Sequence, residues 1–172
     1  MNMRRIVVES PVGALSIVAT EEALVALALP GQERARTIAA RDGDGHPVLE
    51  RAREQLAEYF AGERLAFDLP LAPAGTPFQQ AVWRALVRIP LGETRAYGEV
   101  AAALGLRWGA RAVGTANARN PVAIVVPCHR VIGADGSLAG YAGGVGTKRW
   151  LLEHERAVAA RAGARPWAAA AP

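Results

Sequence analysis

The chain has 172 residues, of which 51% are hydrophobic and 21% charged, enough apolar mass for one domain or two small ones and too much for wholesale disorder. No apolar run approaches the roughly 20 residues of a membrane span, the start MNMRRIVVES lacks the apolar core and cleavage site of a secretory signal, and one cysteine excludes an internal disulfide. The net charge of +4 divides into −3 over residues 1–72 and +7 over 73–172, so a polyanion would bind the second half, although a solvated arginine-rich surface has the same signature.

RRIVVESPVGALSIVATEEALVALALP alternates apolar and polar residues, with turn signals at residues 10–13 and 21–22, and predicts three antiparallel strands. From His46, PVLERAREQLAEYFAGE sets Leu49, Ala52, Leu56, Tyr59 and Phe60 at helical spacing and stops at Gly62. LAFDLP then reads as a short strand. LPLAPAGTP concentrates proline, glycine and alanine without periodicity, which suits a linker and puts a domain boundary near residue 72. Thr76 has the chemistry of an N-cap, Pro77 that of a first helical residue, and Phe78, Val82, Leu86 and Ile89 form a stripe ending before Pro90.

YGEVAAALG predicts a short helix ending at Gly105, and GARAVGTANARN a second, small-residue helix starting near Gly109. Two short helices joined by a glycine-bearing turn suggest a helix-turn-helix. An ordinary helical hairpin has the same pattern, but Arg111 stands at the start of the second helix among alanines and glycines that admit a close partner. Pro121 ends that helix, and VAIVV reads as a buried strand delivering PCHR to its end. DGSLAGYAGG reads as a glycine-rich hairpin or wing, KRWLLEHERAVAARA as a helix, and ARPWAAAAP as a loosely ordered tail.

Cys128, the lone cysteine, lies in VVPCHRVIG. A free cysteine is commonly an inert buried hydrophobe. A nucleophilic one needs a base or positive charge nearby, and His129 and Arg130 are at hand. Side chains of adjacent residues in an extended segment face opposite ways, so a turn or a bridging water must link Cys128 to His129. A basic histidine also needs a carboxylate to fix its tautomer, and spacing does not choose between Glu153 and Glu155. Histidines at 46, 129 and 154 lack metal-ligand spacing, so neither a metal nor a cofactor is expected.

PCHRVIG, preceded by GTPFQQAVWRALVRIPLGETRAYGEVA and followed by GYAGGVGTKRWLLEHE, resembles the O6-alkylguanine-DNA alkyltransferases, nearly without gaps from residue 75 to 155. The first half matches in layout only. The resemblance implies an α+β fold: a small N-terminal antiparallel sheet plus helix, ribonuclease H-like, over 1–72; a mostly helical winged helix-turn-helix domain over 73–156; and an alanine-rich tail over 157–172. It implies DNA repair by direct reversal, with Cys128 irreversibly taking the alkyl group from O6-alkylguanine, and from O4-methylthymine as well, once per molecule. His129 would deprotonate Cys128 through a water, Glu155 would orient His129, and Asn120 would support that network. Tyr97 would donate to the departing guanine and Lys148 would sit beside the alkylated oxygen. Lys148 is the one lysine in the chain. Val131, Tyr141 and Ala142 would line the base pocket. Arg111 would fill the gap left by the flipped base, with Ala110 and Gly114 against the minor groove. The implied partner is double-stranded DNA, bound with little sequence preference by a cytoplasmic monomer.

Two departures from the family pattern stand out. Where relatives commonly carry a proline between the short helices this chain reads GLRWGAR, in which Trp108 could plug the core, contact DNA or stand exposed, with inward packing the expectation; the zinc ligands that some relatives carry in the first domain are absent. Competing readings are a non-catalytic lesion binder, a helix-turn-helix transcription factor, a cysteine hydrolase and an oxidation sensor. The binder would carry tryptophan in place of Cys128. The regulator would need a further domain, the hydrolase has no use for the basic half, and the sensor lacks a resolving cysteine.

Overall fold

A computed structural model describes residues 2–138 and 140–163. The alternating N-terminal segment folds as the expected meander of β1 (Arg4–Val8), β2 (Leu15–Ala19) and β3 (Leu24–Ala28), with Ile6 opposite Ile17 and Ile17 opposite Leu27. The sheet is nevertheless mixed. A short helix α1 (Glu33–Arg36) leads to β4 (Arg41–Asp42), which pairs parallel with β1 and gives the order β3-β2-β1-β4. Two exposed charged residues carry no strand pattern. Arg41 N–H to Met3 O and Gly43 N–H to Arg5 O hold β4 through backbone, and Arg4 Nη1 adds a bond to Asp42 O at 3.1 Å.

Helix α2 (Pro47–Ala61) buries Leu49, Ala52, Leu56 and Tyr59 of the stripe read from the sequence, leaves its fifth member Phe60 half-buried, and ends where Gly62 turns left-handed at φ 78°. LAFDLP is not a strand. Gln55 reaches from α2 to bond both backbone groups of Asp68, at 2.9 and 2.8 Å, so a side chain satisfies what a ladder would have. The segment meets the sheet only at its end, where Leu24 N–H bonds Pro70 O and Ala72 N–H bonds Leu24 O.

Thr76 caps α3 (Pro77–Val87) in a reciprocal box with Gln79, at 3.2 and 3.0 Å, and Val82, Trp83 and Leu86 are buried. Phe78, expected in the stripe, is 36% exposed. After β5 (Arg95–Ala96), α4 (Tyr97–Ala103) and α5 (Ala110–Ala118) form the helical pair. Their turn opens as α4 ends: Gly105 takes φ 75°, its N–H bonds Ala102 O, and Leu106 N–H bonds Ala101 O. Leu106 packs inward there. Trp108 does not; it is 90% exposed, so the expected inward packing is wrong.

VAIVV is buried but is not a strand. Residue 124 is an isoleucine at φ 69°, rare for a β-branched side chain, and Val125 N–H closes a tight turn on Ala123 O at 2.8 Å. The run is apolar because a buried loop passes through the core; a ladder contact occurs only at Val122, which bridges Leu27. A 3-10 turn, Cys128–Arg130, leads to β6 (Val131–Ile132), which pairs parallel with β5. The glycine-rich segment expected as a hairpin or wing has no strand after β6 among the described residues, which leave out Ala139; it turns at Gly133 N–H to Ser137 O and again at Gly144 N–H to Tyr141 O. Helix α6 (Val145–Arg161) matches the helix read over 148–162 and starts three residues earlier, so it runs into residues 157–161, which the domain bounds placed with the tail; residues 164–172 of that tail lie outside the described residues. Among the described residues no helix is long and apolar enough to cross a membrane.

Candidate active site

The site is built where the irregular loop 121–127 meets α6. Asn120 closes that loop by spanning it: its Nδ2 donates to Val126 O at 2.8 Å and its Oδ1 accepts from Val122 N–H at 3.0 Å. Asn117 Nδ2, one turn earlier on α5, donates to Cys128 O at 3.3 Å. These amides hold the backbone on either side of Cys128, which is 4% exposed. Burial raises the thiol above its ordinary pKa, while a hydrogen bond from Asn120 and the nearby Lys148 charge pull it back down.

His129 and Glu155 are fully buried and meet directly: His129 Nε2–H donates to Glu155 Oε1 at 2.7 Å. The structure brings Glu155, not Glu153, to the histidine. Arg130 binds the same carboxylate through Nε to Oε2 at 2.8 Å and Nη2 to Oε1 at 2.9 Å, and its Nη1 donates to Ile89 O. A fourth donor comes from α2, where Tyr59 OH bonds Glu155 Oε1 at 2.8 Å. Burial alone would raise the Glu155 carboxyl, but the His129 and Arg130 charges and hydrogen bonds hold it well below the usual carboxylate range. Burial and the Glu155 charge push the Tyr59 hydroxyl well up, so it stays a donor. With Nε2 committed to Glu155, His129 Nδ1 is buried with no partner among the described residues.

Sequence reading missed Tyr59 as a site residue because its hydroxyl crosses 96 positions to reach Glu155. Asn120 acts on the site from the thiol side: it braces the loop backbone next to Cys128 and lowers the thiol pKa.

Lys148 is fully buried, its Nζ donating to Val131 O at 2.6 Å and standing 5.8 Å from the Tyr141 ring centroid. Burial lowers its pKa while the adjacent Cys128 raises it, with a net downward shift. Tyr141 is buried with its hydroxyl unpartnered, Val131 is buried and Ala142 is exposed. Tyr97, half-buried at the start of α4, faces α5: a Cβ on Gly114 would lie 3.7 Å from its ring. Burial, with the neighbouring Cys128, raises its hydroxyl pKa. Arg111 and Ala110 are exposed on α5. A cleft of about 900 Å³ between the two halves, lined by Ile38, Gln79 and Trp83 among others, reaches the site at Asn120 and Ala142. Among the described residues no cluster of His, Cys, Asp or Glu could hold a metal ion.

Residues 3–73 match the family model described as 6-O-methylguanine DNA methyltransferase, ribonuclease-like domain, and residues 77–157 its DNA binding domain. The chain is 47% identical over 147 residues to a methylated-DNA--protein-cysteine methyltransferase of Methanosarcina acetivorans, covering 86% of this chain and 94% of the relative. It is 48% identical over 152 residues to the constitutive methylated-DNA--protein-cysteine methyltransferase of Bacillus subtilis, covering 86% and 92%. The crystal structure of Mycobacterium tuberculosis OGT in complex with DNA superposes with a TM-score of 0.82 at 47% identity, covering 92% of this chain and 94% of that one. On sequence along nearly its whole length and on fold, this chain belongs to the O6-methylguanine DNA methyltransferase family.

Proposed function

We propose that this protein repairs DNA by irreversibly transferring the alkyl group of O6-alkylguanine, and of O4-methylthymine, to Cys128, once per molecule. The observation that carries the reading is the buried row formed by the thiol, a histidine with one ring nitrogen unengaged and an ionised carboxylate, on a chain that belongs to this family. A water between His129 Nδ1 and the thiol would pass the Cys128 proton to the imidazole, and Glu155 would stabilise the imidazolium formed. The thiolate attacks the alkyl carbon, a sulfur–carbon bond forms, and the carbon–oxygen bond breaks with its electron pair left on the guanine. Tyr97 donates a proton or a hydrogen bond to the departing base, and Lys148 stabilises charge at its oxygen. The thioether offers water no comparable route back, so the protein is consumed.

In the same reading Val131, Tyr141 and Ala142 surround the flipped base. Arg111 fills the place it left, and Ala110 and Gly114 let α5 approach the minor groove, where little sequence is read. The protein acts as a cytoplasmic monomer on duplex DNA without strong sequence preference. Incubation with a duplex carrying one O6-methylguanine, followed by intact mass and peptide mapping, tests this. The expected result is the mass of one methyl in place of one hydrogen, confined to Cys128 and stoichiometric with protein. Repeated turnover, transfer to another residue or no transfer overturns it.

A further inference from the structure

The turn between α4 and α5 contains a feature that the transfer chemistry does not use. Leu106, two residues before Trp108, takes the inward position and packs with Ala101. Gly109 is needed beneath it, since a Cβ there would lie 2.8 Å from Leu106 Cβ and 3.3 Å from Ala101 Cβ. The turn therefore closes on Leu106 and turns Trp108 out to 90% exposure, beside the exposed Arg107, Ala110 and Arg111. No Asp or Glu occurs from residue 100 to 134. The arginines exposed on this surface are 107, 111 and 119, while Arg130 is buried against Glu155. A large aromatic among unpaired cations and small side chains, on the end of the helix that carries Arg111, fits a polyanion with apolar faces between its charges.

We propose that Trp108 is a DNA contact, its indole packing on the deoxyribose rings of the duplex beside the nucleotide that Arg111 displaces. It rests on the reading that α5 faces DNA. The contact neutralises no phosphate, so it adds affinity without adding to the salt dependence, whereas arginine contacts add both. Burying part of an indole against sugar carbons is worth on the order of tenfold in binding.

The test compares the parent protein with Trp108→Ala, Trp108→Phe and Arg107→Ala. Affinity for an O6-methylguanine duplex is measured over a salt series with Cys128→Ser added to each protein, so that the lesion is bound and not consumed, and the rate of reaction with free O6-benzylguanine is measured with Cys128 in place. The expected outcome for Trp108→Ala is binding about tenfold weaker at every salt concentration, an unchanged slope of log affinity against log salt, and an unchanged rate on the free base. Trp108→Phe should fall between, and Arg107→Ala should flatten the slope. Parent-like binding by Trp108→Ala overturns the proposal, as does a flatter slope in that variant. Equal losses on duplex and free base also overturn it, because they place the effect in the active site. If the parent itself fails to bind the duplex, the DNA-facing reading of α5 falls, and the proposal with it.

Discussion

Glu155 is the residue on which the site is organised. One buried carboxylate accepts from His129, Arg130 and Tyr59, so its charge is distributed over a histidine, a guanidinium and a phenol. Replacing it by glutamine leaves the shape but strands a buried guanidinium. Glu155→Gln should therefore cost about 3–5 kcal/mol in urea unfolding and slow transfer by about 10²-fold or more. Tyr59→Phe removes one donor and leaves the ion pair, so about 1.5–3 kcal/mol is expected, with His129 still oriented and transfer slowed far less. Equal kinetic damage from both would contradict this ranking of the donors. Cys128 and His129 were marked in the sequence by their adjacency in PCHR, and Lys148 by the resemblance alone. Tyr59 was legible only as a core position of a helix. A periodic stripe reports which side of a residue is buried, not where its polar end goes.

At the scale of elements, strong local chemistry was readable and satisfied-by-side-chain geometry was not. Thr76, Pro77 and Gln79 announce the start of α3, and both hydrogen bonds of the capping box form. Thr76→Ala should cost about 1 kcal/mol, measured as a drop in thermal midpoint, with the alkyl-transfer rate unchanged once the protein is folded. LAFDLP and VAIVV have strand composition, yet one is held by Gln55 and the other bends at Ile124. A short apolar run states burial without stating backbone path, and neither Gln55 nor the Ile124 turn leaves a periodic trace. β4 has the opposite problem: its two residues are charged and exposed, held by backbone pairing with β1 and by Arg4 Nη1 on Asp42 O. Trp108 was misread because aromatic residues are usually core, and the decision between it and Leu106 is made by the Gly105 turn.

At the scale of the whole molecule, α2 of the first half supplies a donor to the catalytic end of the second, so stability and reactivity share a pH dependence. The native Glu155 carboxyl lies below its unfolded value, so its contribution is complete above the ordinary carboxylate range near 4.3 and is lost as pH falls through that range and below. Thermal midpoints should hold steady down to about pH 5 and then fall, and Glu155→Gln should fall less steeply over the acid limb. A parallel acid limb in the variant would place the titrating group elsewhere. The halves also share backbone. The outer edge of β3 is covered by the linker at Pro70 and Ala72 and by the lead-in to the reactive loop at Pro121 and Ala123. An adduct on Cys128 too large for its buried position would push on that same loop, and any displacement reaching Pro121 would uncover unpaired sheet donors and acceptors. The loop thus doubles as a seal, and a protein that has accepted a bulky group would carry the record of it as a newly adhesive surface.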